Sequence, residues 1–119
     1  MSIDRKNLGR RGEEIAAHWL TKQGYKIIEK NFSCRFGELD LVARHRAELV
    51  FVEVRCRQGE DYGWPEETVN LKKQKKLRKL AAFYLQRNKL NEHFCRFDVV
   101  AITFRESEPV RIQLIPNAF

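Results

Sequence analysis

Cysteine is scarce in this chain and follows no pattern. Cys34, Cys56 and Cys95 form no CxxC pair and share no ligand spacing with His18, His45 or His93. That leaves no zinc signature, and the odd count points to reduced, mostly buried thiols in a cytoplasmic protein. Long apolar runs are missing too. No stretch approaches the ~20 residues that span a bilayer, and the opening Met1-Ser2-Ile3-Asp4-Arg5-Lys6 leads into polar sequence without the apolar core of a signal peptide. A cytosolic location and no membrane partner are expected. Repeats, low-complexity tracts and linkers are absent, so the 119 residues read as one domain, 1–119.

Acid is outnumbered by base, 16 residues against 23, for a formal net charge of +7. With 43% hydrophobic and 33% charged residues the chain reads as globular rather than disordered. Such a positive balance favours a polyanionic partner, most commonly nucleic acid, and here DNA is expected. A basic protein with no such partner is the plain alternative.

Seven elements follow from periodicity and punctuation. Asp4 can cap a first helix running to about Gln23, which Gly24 ends. On a helical wheel Leu8, Ile15, Ala16 and Trp19 cluster, Glu13 sits at the margin of that stripe beside Leu20, and Glu14 points nearly opposite. Strand signals cover Tyr25 to Phe32, Glu38 to Arg44 and Glu48 to Arg57. Residues 58–70 form a loop rich in glycine and acid. Asn70 can cap a second helix from about Leu71 to Asn88, and strands Arg96 to Arg105 and Arg111 to Ile115 close the chain. The order α-β-β-β-α-β-β predicts an α/β domain with a mixed central sheet flanked by helices.

Two acids stand inside the apolar strand runs: Asp40 in Gly37-Glu38-Leu39-Asp40-Leu41, and Glu53 in Phe51-Val52-Glu53-Val54-Arg55. Burying an unpaired carboxylate costs several kcal/mol, so a basic partner or a bound cation has to offset it. The short Arg44–Glu48 connection makes the second and third strands an antiparallel hairpin. If Arg44 pairs with Leu49, Asp40 faces Glu53 across the ladder; a slip of one residue would send them to opposite faces. With Glu13 from the helix they form a hard, oxygen-rich set, and Glu38 is a reserve ligand. Magnesium suits such a set, since it needs only one or two carboxylates, waters and substrate phosphate. It would orient and acidify a water at a scissile phosphodiester. Each acid also has a plainer reading: Glu53 and Arg55 share a strand face and can form a surface ion pair.

Gly9-Arg10-Arg11-Gly12-Glu13, Gly37-Glu38-Leu39-Asp40 and Phe51-Val52-Glu53-Val54-Arg55 together resemble the PD-(D/E)XK nuclease superfamily, in the branch of archaeal Holliday-junction resolvases. Within it, the chain resembles the small bacterial YraN-type family, over about residues 8 to 102, including Lys73-Gln74 and Arg96-Phe97-Asp98-Val99-Val100. The resemblance implies a restriction-endonuclease-like fold and an endonuclease dependent on Mg²⁺ or Mn²⁺. It implies Glu13 as the helix-borne acid, Asp40 as the metal-binding aspartate and Glu53 as the first residue of the E-x-K element. Arg55 stands where that element has lysine. Arginine is a permanently charged planar fork that can stabilise phosphate but activates water poorly.

Six of the eight residues from Lys72 to Lys79 are basic. Lys72, Lys75, Lys76, Arg78 and Lys79 suit non-specific, salt-sensitive phosphate contact. Lys73 falls instead in the middle of the apolar stripe of Leu77, Leu80, Ala81 and Tyr84 and should point at the sheet. It either supplies part of the missing lysine function or snorkels with its stem packed. Tyr62 and Trp64 either stack on unpaired bases or pack over the sheet edge, and Asp98 reads as a structural ion-pair partner. The cysteines have no neighbouring His–acid arrangement for nucleophilic chemistry. A catalytically silent binding module and a protein-interaction subunit are the two rival classes. A homodimer would suit a branched junction.

Overall fold

The computed structural model describes residues 5–59, 69–90, 94–106 and 108–119. Helix α1 spans Arg5–Lys22. Strands β1 (Lys26–Cys34), β2 (Gly37–His45) and β3 (Glu48–Gln58) follow, then α2 (Leu71–Arg87), β4 (Cys95–Arg105) and β5 (Glu108–Ile115). The order is the expected one, and the five strands lie in sequence order in one sheet. β3 and β4 pair in parallel and every other neighbouring pair is antiparallel. A parallel step needs a long crossover, and the segment containing α2 supplies it. No described helix is long and apolar enough to cross a membrane. Asp4, Tyr62 and Trp64 lie outside the described residues.

The sheet is covered on both faces. Leu8, Ala16, Ala17 and Leu20 of α1 pack with Leu41, Ala43, Val50, Val52, Val100 and Ile102. Leu77, Leu80, Ala81 and Tyr84 of α2 pack with Val42, Leu49, Phe51, Phe97 and Val99 on the other face. Each such large apolar side chain contributes roughly 1.5–3 kcal/mol when fully buried. The strands between the helices can therefore read as nearly continuous apolar runs, and that is why the two acids within them stand out.

The stop of α1 and the start of α2 are both legible. Gly24, two residues after the end of α1, takes φ +93°, a conformation that L side chains resist. At α2, Asn70 Oδ1 accepts from the Lys73 N–H at 2.9 Å, capping an orphan donor of the first turn. The last strand differs from expectation: β5 begins at Glu108, not Arg111. Pro109 lacks an N–H and argues against a central strand, but β5 is an edge strand, where the loss is tolerated.

Candidate functional site

The β2–β3 hairpin has the register that apposes the two acids. Arg44 faces Leu49, and the pairing steps through Ala43↔Val50 and Val42↔Phe51 to Leu41↔Val52. The paired ladder ends there; just beyond it the Val54 N–H donates to Asp40 Oδ2 at 2.8 Å, and the Asp40 carboxylate neighbours that of Glu53. The carboxylate thus takes a backbone donor at the point where the ladder opens.

Asp40 also marks a change of face. Leu41 packs under α1, whereas Leu39, two residues earlier, packs under α2. Regular alternation would keep both on one side. In β1 the pairing passes from Lys30↔Leu41 to Phe32↔Leu39, and Asn31 between them adopts φ +55°. Asparagine is among the few residues that enter this region readily. The local irregularity allows Asp40 to neighbour both Glu13 of the α1 layer and Glu53.

Glu13 arrives because α1 lies very close to the sheet. A Cβ on Gly12 would overlap the Cys56 sulfur, so only glycine permits this approach. Small Ala16 and Ala17 continue the contact, while Ile15 and Trp19 are half-buried at its margins. Glu13 is half-buried and Glu14 exposed, as the helical wheel separated them.

The electrostatics follow from this packing. Burial, then the neighbouring Asp40 and Glu38, push Glu13 up from 4.5 to about 7, against a favourable contact from the Asn31 side chain. Burial and Asp40 push Glu53 up to about 7 despite Lys73 and Arg55 beside it. Cys56 is pushed up to about 11, chiefly by burial and then by Asp40 and Glu13. It remains a thiol whose Sγ sits 3.8 Å from the Leu8 carbonyl, which removes it as a nucleophile near neutral pH.

Lys73 and Arg55 converge on the same carboxylate oxygen. Lys73 Nζ lies 4.0 Å and Arg55 Nε 3.9 Å from Glu53 Oε1. Both exceed the 2.7–2.9 Å typical of a charge-assisted hydrogen bond. Lys73 is half-buried and turned to the sheet, while Lys72, Lys75, Lys76, Arg78 and Lys79 are exposed. The basic run therefore divides. Arg78 lies 5.4 Å from the centroids of Phe97 and Phe119, and Lys79 lies 4.4 Å from that of Phe36 on the opposite flank.

Among the described residues, no three His, Cys, Asp or Glu side chains converge tightly enough to form a ready-made metal cluster. Asp40 is the shared neighbour of Glu13 and Glu53. Glu38 is exposed and influences Glu13 rather than Glu53. The donor set nevertheless fits a hard cation held by one or two carboxylates with waters completing its shell. Glu13 and Glu53 are both raised to about 7, first by burial and then by Asp40, and a divalent charge would offset this.

A 91-residue segment of the chain, residues 12–102, matches a family model described as "Uncharacterised protein family UPF0102". The chain belongs to that family. A UPF0102 protein of Pelotomaculum thermopropionicum is 48% identical over 120 residues, covering 100% of both chains. One of Syntrophus aciditrophicus is 45% identical over 111 residues, covering 93% of this chain and 87% of its own. One of Pelobacter propionicus is 48% identical over 118 residues, with 98% and 84% covered. Among solved structures, Pyrococcus furiosus SfsA in complex with Ca²⁺ aligns at 16% identity and a TM-score of 0.40 over 96% of this chain and 63% of that one. Glu13, Asp40, Glu53, Arg55 and Lys73 all fall inside the segment that defines membership.

Asp98 belongs elsewhere in this UPF0102 member. It is fully buried and accepts from Tyr25 Oη at 2.7 Å, Arg96 Nε at 3.0 Å and the Asn117 N–H at 2.9 Å. Arg96 also donates to Glu48 at 2.8 Å and lies 2.9 Å from His45 Nδ1. This network sits at the ends of β2, β3 and β4 away from Asp40 and is structural. Asn31 was missed by pattern reading; its one sequence signal is a lone asparagine, tolerant of positive φ, within a strand run.

Proposed function

We propose that this chain binds nucleic acid, DNA foremost, and hydrolyses phosphodiester bonds with Mg²⁺ or Mn²⁺ held at Asp40 and Glu53. The observation that carries the reading is the apposition of Glu13, Asp40 and Glu53 with a half-buried lysine, Lys73, aimed at the same carboxylate. The resemblance of these segments to the PD-(D/E)XK nucleases supports it, as does the net charge of +7.

The bound cation would neutralise charge developing on the scissile phosphate and acidify a water. The chain's own groups do the rest. Asp40, fixed by the Val54 N–H, and Glu53 orient the cation. Glu13, half-buried beside Asp40, accepts a proton from the attacking water as general base. Lys73 donates to the water or a phosphate oxygen as a compact ammonium, and Arg55 holds a phosphate oxygen with its fork.

A silent binding module is the second reading, favoured by the approach of both Lys73 and Arg55 to Glu53. An endonuclease assay on single-stranded, duplex and branched substrates with Mg²⁺ or Mn²⁺ separates the two. Cleavage by the parent that falls at least about 100-fold in Asp40→Asn and about 10-fold or more in Lys73→Ala supports the enzyme. Equal activity in Asp40→Asn and parent would sink it. Salt-sensitive binding without cleavage on any substrate would establish the silent module.

A further inference from the structure

One flank of α2 carries cations and rings that the carboxylate site does not use. Lys76 lies across the Gly37 backbone, where a Cβ would come within 3.0 Å of its Cε. Next along, Lys79 Nζ is 4.4 Å and the Arg35 guanidinium 4.9 Å from the Phe36 ring centroid. Phe83 meets Phe36 edge-on at 5.5 Å, and Arg87 lies 5.8 Å over Phe32. Arg35, Phe36, Lys79, Phe83, Gln86 and Arg87 line an open groove between α2 and the turn joining β1 to β2. Three of these residues are cationic and exposed, two are half-buried phenylalanines, and among the described residues no acid lines the groove.

Charge alone would fit any polyanion; the rings narrow the choice. Arginine over an aromatic face offers its outer plane to a further flat ring. Bases in a duplex are stacked on each other and cannot take that place, whereas an unpaired base can. The groove also continues the candidate site. Lys73, Lys76, Lys79 or Phe83, and Arg87 recur every three or four residues along α2, so they share one flank. From Lys73 to Arg87 the helix rises about 21 Å, the length of about six nucleotides of one strand at stacked spacing.

We propose that this groove holds an unpaired nucleic-acid strand, with phosphates on Lys76, Lys79 and Arg87 and a base against the Arg35–Phe36 pair, leading the strand to Glu53. This rests on the nucleic-acid reading above and adds the form of the substrate: a junction or end with single-stranded character.

The test is fluorescence anisotropy in EDTA, with the full chain, a short labelled oligothymidine and a duplex of equal phosphate number. Arg35→Ala and Phe36→Leu should each weaken single-strand binding about tenfold and change duplex binding less than about twofold. Arg87→Ala should lower the salt slope for the single strand by about 0.7. A 2-aminopurine base should change emission on binding the parent but not Phe36→Leu. Because Arg35 and Arg87 are exposed, their substitutions leave the core intact. Unchanged single-strand affinity in all three variants, or equal losses for duplex and single strand, would overturn the proposal. Displacement of the strand by polyglutamate as readily as by oligothymidine would assign the groove to an acidic protein segment instead. If the parent binds neither oligonucleotide, the nucleic-acid reading itself falls. If the parent cleaves DNA while the variants bind as it does, only the groove assignment falls.

Discussion

Replacing Glu53 by glutamine should make the metal-free protein more stable at pH 8 while abolishing metal-dependent cleavage. The Glu53 side chain is 10% exposed, and burial and Asp40 push its carboxyl from 4.5 to about 7. Below pH 4.5 it is protonated in both the folded and unfolded chain, and no penalty arises. As pH rises, the unfolded chain loses the proton first, so stability falls until the folded carboxyl also ionises near pH 7. The displacement corresponds to roughly 3 kcal/mol lost by pH 8. A glutamine amide can donate to Asp40 as the protonated acid does, but it forfeits the attraction of Lys73 and Arg55. The net gain expected is about 1–2 kcal/mol, or roughly 4–8 °C in Tm. Thermal unfolding in EDTA at pH 5 and pH 8 measures it, with most of the gain disappearing at pH 5. Added Mg²⁺ at pH 8 should raise the parent's Tm and leave the variant's nearly unchanged. A variant less stable than the parent at pH 8 in EDTA would refute the reasoning. Glu53 would then be a stabilising ion-pair partner of Lys73 and Arg55, as in a silent module.

Three further outcomes follow from the packing. Gly12→Ala should destabilise the fold by about 1–3 kcal/mol in urea unfolding, because the overlap with the Cys56 sulfur outweighs alanine's better helix propensity. Asp98→Ala should cost about 3–5 kcal/mol by the same measurement, since it strips Arg96, Tyr25 and the Asn117 N–H of a buried acceptor; the salt slope of nucleic-acid binding should not change. Asn70→Ala should cost about 1 kcal/mol of stability. It should also slow cleavage with Lys73 present but not in a Lys73→Ala background, because the Asn70 cap fixes the first turn that carries Lys73.

Most of what positions the candidate site obeys local rules, which is why it was legible. The β2–β3 register is dictated by a short connection and by apolar runs that lose their core face on any slip, so the Arg44↔Leu49 pairing, which brings Asp40 towards Glu53, followed from counting. Lys73 was separable from five neighbouring cations because a helical period of 3.6 residues leaves it alone among buried positions. The Pro109 strand was not legible, since whether proline is tolerated depends on which strand lies at the edge, a tertiary fact.

What a pattern cannot supply is an exception to its own period. Strict alternation places Leu39 and Leu41 on one face and Asp40 on the other. The fold instead sends the two leucines to opposite layers, with Asn31 at positive φ beside the change. That irregularity is what lets one aspartate neighbour both an acid of the α1 layer and an acid on β3. A regular strand would have kept Glu13 and Glu53 apart on the two sides of the sheet, with Asp40 near only one of them. Burial displaces both acids upward, and the nearness of Asp40 adds to it in each case. The chemistry proposed here therefore rests on a local break in the β-structure as much as on the residues themselves, consistent with strain and irregularity gathering where a site is built.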